Sequence, residues 1–247
     1  MGGFVTRASF AALLALGAWE PASAQLDVYP ARQRLDSLVV SRPEVELRFV
    51  FPAFDSPAGW SVPVTDLVRK SAEARVGGAL RAAEEAGPSL PGQGPQFVEE
   101  GRTWLVWGSP ELVVLRDQFY SYTAGAAHGE DGTQFRILAW HKGELKPATL
   151  ADLLDWNRDL QRELNRQLEG QLRLQGASVV LEGGWKELDK RRLQHAAPTA
   201  QGLLYVFDPY EVGSHAEGYY EVLVPWRVLA SWIPKDGRLD RMLRARP

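Results

Sequence analysis

The 247 residues predict an α+β fold, an antiparallel sheet covered by one long amphipathic helix and shorter helices. Three observations carry that expectation. Apolar residues alternate over 45–51 and recur in short runs from 97 to 140, the period of half-buried strands. Leu153, Trp156, Leu160, Leu164, Leu168 and Leu172 recur at three- and four-residue steps, the period of a helix with one buried stripe. The composition, 45% hydrophobic and 24% charged, is that of a globular chain, and the length suits a single core.

The elements are expected in this order. Arg7, the apolar stretch from Ala8 to Trp19 and the small residues Ala22, Ser23 and Ala24 have the layout of a secretory signal over 1–24, cleaved before Gln25. An apolar run of about a dozen residues is too short to span a bilayer, which takes roughly 20. No membrane span is therefore expected in the mature chain, which is exported to the periplasm or secreted. An extended entry segment covers 25–44, and a single α+β domain covers 45–247. Its first strand places Val45, Leu47, Phe49 and Phe51 on one face and ends at Pro52. A helix follows from Val64 onward, with Leu67, Val68, Ala72, Val76, Ala79, Leu80 and Ala83 on one stripe and Gly77-Gly78 weakening it slightly.

Prolines and glycines make 87–94 a loop. An antiparallel meander then runs through 97–98, 103–107, 112–115, 119–122 and 135–140. Thr149 and Asp152 have the spacing that satisfies free amides at a helix start, and the long helix runs from there to Gly176. Strands at 203–207 and 219–224 flank a turn-rich segment, 208–218, and Pro225-Trp226 opens a last short helix. Arg238, Arg241, Arg244 and Arg246 gather around Asp240 as a solvated helix end or tail.

Composition excludes several function classes. Net charge is −3 and the cations are interspersed with acids, so no nucleic acid partner is expected. With no cysteine there is no disulfide, no lipid-modified cysteine and no thiol nucleophile. No Gly-rich phosphate loop, nucleophile elbow, repeat or low-complexity tract occurs. The four histidines, His128, His141, His195 and His215, lack the close pairing of common zinc motifs. No cofactor, no metal site and no catalytic residue is assigned.

Two loops stand out. In residues 119–129 a strand end rich in aromatics, with Tyr120 and Tyr122, runs into small residues and then His128 and Gly129. Small residues bring the backbone close to a neighbour. Residues 208–218 repeat these ingredients with Tyr210, His215 and Gly218, and whether the two loops form one site is left open. Tyr120, Tyr122, His128, Gly129, Tyr210, His215 and Gly218 are the candidate ligand-binding residues, because tyrosine joins contact area to a hydroxyl at low entropic cost. The alternative from a different class is a hydrolase acting on cell-wall material. In it His128 or His215 acts as general base, alone or with a metal, and Asp208, Glu211 or Glu217 orients it.

The strand end leading into Gly125-Ala126-Ala127-His128-Gly129, and the block from Phe207 through Val212 to Ala216-Glu217-Gly218, resemble the extracellular C-terminal domain of the anti-sigma factor RsiV. This domain of unknown function also accompanies the peptidoglycan deacetylase PdaC. The resemblance covers 97–233, and 45–96 is similar to the segment that often precedes the domain. The chain departs from the pattern at Ala126, where a glycine is usual, and at Ser214-His215, where a proline-tyrosine pair is usual. The resemblance implies a non-catalytic, envelope-facing binding or sensing module, with peptidoglycan or a lysozyme-like protein as partner. The oligomeric state is left open.

Overall fold

The computed structural model describes residues 6–7, 32–55, 60–86 and 95–244. The loop expected at 87–94 lies outside the described residues, as does the signal segment apart from Thr6–Arg7. With 36% helix and 38% strand the chain is α+β. It divides into two compact units, one of residues 1–104 and 117–132, the other of residues 105–116 and 133–247.

In the first unit, β1 (Thr6–Arg7) pairs antiparallel with β2 (Arg32–Arg42), and β2 pairs antiparallel with β3 (Val45–Asp55) along their whole length. Most of the described part of the entry segment is thus a ladder strand. Val45, Leu47, Phe49 and Phe51 are buried, as the alternation requires. The strand nevertheless passes through Pro52 to Asp55. A neighbouring strand, β4 (Phe97–Gly108), pairs with β3 only over Val45–Val50, so at Pro52 one side carries no ladder and a missing N–H is tolerated. The β3–β4 pairing is parallel, which corrects the expected all-antiparallel sheet to a mixed one.

The helix α1 (Ser61–Ala86) packs on β3 with Val64, Val68, Ala72, Ala79 and Ala83 buried. Thr65 Oγ1 fixes its start by donating to the Ser61 carbonyl at 2.9 Å and accepting the Phe54 amide at 3.0 Å. Gly77 and Gly78 lie inside the helix without breaking it.

The separate short runs of the expected meander merge into longer strands: β4, β5 (Leu112–Thr123) and β6 (Glu130–His141), followed by β7 (Glu144–Ala148). Polar residues between the runs find partners within the strands. Asp117 accepts the Thr103 hydroxyl at 2.6 Å, and buried Arg116 reaches Glu221 at 2.5 Å.

In the second unit the long helix starts later than its stripe suggests. Thr149 and Asp152 close a one-turn 3-10 helix, Leu150–Asp152, and α2 runs over Arg158–Gln175. Asn157 caps it by accepting the Leu160 amide at 2.9 Å, and Gly176, at φ 84°, ends it. Leu153 and Trp156 therefore precede the helix. Leu160, Leu164, Leu168 and Leu172 form its buried stripe. Among the described residues there are two long helices, α1 and α2, one in each unit, in place of the single covering helix expected.

Short helices α3 (Ser178–Leu181) and α4 (Lys190–Leu193) follow. Then β8 (Ala197–Pro198), β9 (Gly202–Phe207) and β10 (Tyr220–Pro225) form an antiparallel sheet with β9 central. α2 packs along β10, and its Gln171 and Gln175 donate to the Leu223 and Glu221 carbonyls at 3.0 and 2.9 Å, satisfying an edge that an open strand would leave bare. Beyond α5 (Trp226–Leu229), α6 (Arg238–Arg244) carries Arg238, Arg241 and Arg244, while Arg246 lies outside the described residues. The three are ion-paired: Arg238 and Arg241 hold Glu111 at 3.4 and 2.9 Å, and Arg244 holds Asp240. Among the described residues no helix is long and apolar enough to cross a membrane.

Candidate functional site

The two loops singled out by sequence fall in different units, and each is described by itself. In the first unit, Tyr120 is exposed, Tyr122 is half-buried and both belong to β5. The chain turns at Gly125, φ 93°. The close approach expected of the small residues is made to the loop's own aromatics. A Cβ at Gly129 would enter the Tyr120 ring, and one at Gly132 would enter the Phe119 ring. Each glycine is thus the space its aromatic fills. His128 is exposed and donates from Nδ1 to the Gly129 carbonyl at 2.8 Å, a local bond that fixes the proton on that nitrogen.

The second loop, 208–218, is built by two carboxylates that each close a turn onto an amide three residues back. Glu211 Oε2 accepts the Asp208 amide at 2.7 Å. Glu217 Oε1 accepts the Ser214 amide at 2.7 Å. Each carboxylate is then anchored outside the loop. The Arg192 guanidinium grips both Glu211 oxygens, Nε to Oε1 at 3.0 Å and Nη2 to Oε2 at 2.9 Å. Glu217 takes the Ser178 amide and hydroxyl at 3.1 and 2.8 Å and the Tyr220 hydroxyl at 2.7 Å. Asp208 Oδ2 accepts the Thr133 amide at 2.9 Å, tying the loop's first residue to β6.

Between the clasps Tyr210 sits at φ 73°, 59% exposed, with its ring 5.5 Å from that of His215. Gly218, at φ 74°, returns the chain to β10. Tyr210 and His215 are therefore brought together, as sequence grouped them. Glu211 and Glu217, named as orienting carboxylates for a histidine base, instead hold Arg192 and a cluster of serine and tyrosine donors.

This bonding sets the local titration. The Ser214 amide, then the Tyr220 and Ser178 donors, hold the Glu217 carboxyl far below its usual range. The same bond pushes the Tyr220 phenol up to about 12. A raised pKa means this contribution to stability is complete below the ordinary value of 10.0 and is lost as pH rises through about 12. Unfolding scans of Tyr220→Phe should lack that alkaline step while the parent shows it.

Two residues outside the candidate ligand-binding set complete the setting. Arg192 also donates to the Val206 carbonyl at 2.8 Å and lies over the Phe207 ring at 4.8 Å. His195 faces Arg192, with Nδ1 3.2 Å from Nη1, and lies 5.8 Å from the Phe135 ring. Neither is near the loop in sequence. The signal present in the sequence was the spacing itself: Asp208 to Glu211 and Ser214 to Glu217 are both i to i+3 pairs.

Residues 151–227 match the family described as "Protein of unknown function (DUF3298)". Tyr210, His215 and Gly218 lie within the DUF3298 match; Tyr120, Tyr122, His128 and Gly129 lie outside it. Two solved DUF3298 family proteins share the fold. One, from Pseudomonas aeruginosa PAO1, has 16% identity and a TM-score of 0.54, with 83% of this chain and 94% of that one covered. The other, from Bacteroides fragilis NCTC 9343, has 16% identity and a TM-score of 0.56, covering 85% of this chain and 98% of that one. No curated protein matches the chain. Among the described residues no three His, Asp or Glu side chains gather as metal ligands.

Proposed function

We propose that this chain is an exported, envelope-facing recognition module without catalytic activity, whose clasped DUF3298 loop binds cell-wall glycan or a wall-acting protein such as lysozyme. The observation that carries the reading is Tyr210. A bulky residue at positive φ costs on the order of 1–3 kcal/mol and persists only where its surroundings hold it. Here two carboxylate clasps hold it, and the ring they hold is exposed against His215 rather than buried in the core. Strain kept for an exposed aromatic is understandable if that ring meets a partner. Fixed in advance, such a ring loses little entropy on binding.

The resemblance to the extracellular domain of RsiV, and to the domain beside PdaC, supports the envelope setting, and the secretory layout of residues 1–24 supports export. In this reading 25–44 leads into a single functional module over 45–247, and Tyr120, Tyr122, His128 and Gly129 contribute a second contact surface. Purified protein should co-sediment saturably with peptidoglycan sacculi or bind lysozyme in calorimetry, and Tyr210→Ala should weaken whichever interaction occurs by about tenfold with the fold intact. Absence of both interactions, or binding indifferent to Tyr210, would count against the reading.

A further inference from the structure

We propose that His195 is an acid-sensitive latch on the DUF3298 loop: a proton taken up at Nδ1 turns Arg192 away from His195 and loosens the Glu211 clasp, so Tyr210 and His215 are held in fixed geometry only while His195 is neutral. The functional consequence rests on the recognition role of the loop; the latch rests on geometry.

The chain of contacts is short. Arg192 Nη1 points at His195 Nδ1, 3.2 Å away, and at the His195 carbonyl, 3.3 Å away. A guanidinium has only donors, so Nδ1 must present its lone pair and the ring proton resides on Nε2. The remaining Arg192 nitrogens grip Glu211, whose Oε2 also accepts the Asp208 amide at 2.7 Å. Four groups are thus in series, imidazole to guanidinium to carboxylate to loop amide, and the guanidinium holds its place through the acceptors on both sides. A proton on Nδ1 replaces one acceptor with a donor and sets two cations against each other.

The groups facing the ring are Arg192 from α4, Glu211 and Asp208 from the loop, and the Phe135 ring from β6. The carboxylates favour the protonated ring. Burial, and after it Arg192, outweigh them and hold the His195 pKa below its usual 6.5. The ring is therefore neutral near pH 7 and takes up its proton only below the ordinary histidine range.

The second clasp supplies the control. Glu217 draws on Ser178, Ser214 and Tyr220 and has no bond to Arg192 among those that define the turn. In the full chain, NMR would follow the His195 ring through its titration alongside amide hydrogen exchange corrected for intrinsic rates. The Asp208 amide should lose about tenfold in protection, the equivalent of one charge-assisted hydrogen bond, while the Ser214 amide keeps its own. In His195→Gln, whose side-chain carbonyl can accept from Arg192 without titrating, the step at Asp208 should vanish. Unchanged Asp208 protection while His195 titrates, equal loss at Ser214, or a step that survives in His195→Gln would each overturn the latch. Sacculus and lysozyme binding measured on the same samples separates the two ideas: an exchange step without binding at any pH sinks the recognition reading and leaves the latch standing.

Discussion

Leu172→Ala is expected to lower unfolding stability by about 3 kcal/mol, and Leu174→Ala, two residues further along α2, by less than about 0.5 kcal/mol. Two helical residues are separated by about 200°, so they lie on opposite faces. Leu172 is fully buried in the core formed by α2 and the β8–β10 sheet, whereas Leu174 is 88% exposed. Removing Leu172 loses its transfer from water and leaves a cavity in a core whose members Leu168 and Tyr205 are themselves fully buried. The effect reaches the loop as well. Gly176 and Ala177 separate the helix end from Ser178, whose amide and hydroxyl hold Glu217, so a loosened last turn weakens the second clasp. Urea unfolding should show a lower midpoint at unchanged slope for Leu172→Ala and superimpose on the parent for Leu174→Ala. Equal losses for the two variants would mean that the stripe does not set the buried face.

The four-leucine part of that stripe was readable from spacing, as were the Gly176 terminus, the alternating face of β3 and the strands around 203–207 and 219–224. What spacing could not read was where competing local signals would win. Thr149 and Asp152 do satisfy free amides, but of a single turn, and the stronger start belongs to Asn157, a residue with no apolar neighbour pattern to point at it. Pro52 reads as a stop only if both edges of its strand are paired, and the register that leaves one edge open is a property of β4, over 40 residues away. The parallel β3–β4 pairing is likewise set by the connection through α1, not by either strand's own alternation.

The candidate residues divide in the same way. Tyr210 and His215 were legible because they are close in sequence within one turn-rich segment, and the structure sets their rings 5.5 Å apart at a 43° tilt. Gly129 was legible as a close-approach position, although what approaches is Tyr120 from its own unit. Arg192 and His195 were not legible. They lie on α4 and just beyond it, more than ten residues before the loop, and nothing in a run of basic residues at 190–192 distinguishes the one that grips Glu211 from its solvated neighbours. Long-range polar pairing leaves no periodic trace, so carboxylates flanking an exposed aromatic read equally well as catalytic partners and as clasps until their donors are known.

Gly202→Ala is expected to be as severe as the loss of a core leucine, about 3 kcal/mol or roughly 6–12 °C in Tm, at the upper end of overpacking effects. Gly202 opens β9 opposite Pro225, and both its amide and its carbonyl are engaged by Thr199. A Cβ there would run into the Val224 carbonyl oxygen and lie 2.8 Å from its carbon and 2.9 Å from the Pro225 Cα. All three obstacles are backbone, so no side-chain rotation relieves them. At Gly213 the obstacles are the Glu217 carboxylate and the Tyr220 ring, which can move, so the same substitution there trades clasp geometry for space. If thermal unfolding showed Gly202→Ala to be neutral, β10 would have to have shifted away from β9. Tyr220 begins β10 and donates its hydroxyl to Glu217, so such a shift would lengthen that bond and lower the Tyr220 pKa from about 12. A neutral substitution with an unmoved phenol titration would contradict the strand pairing itself.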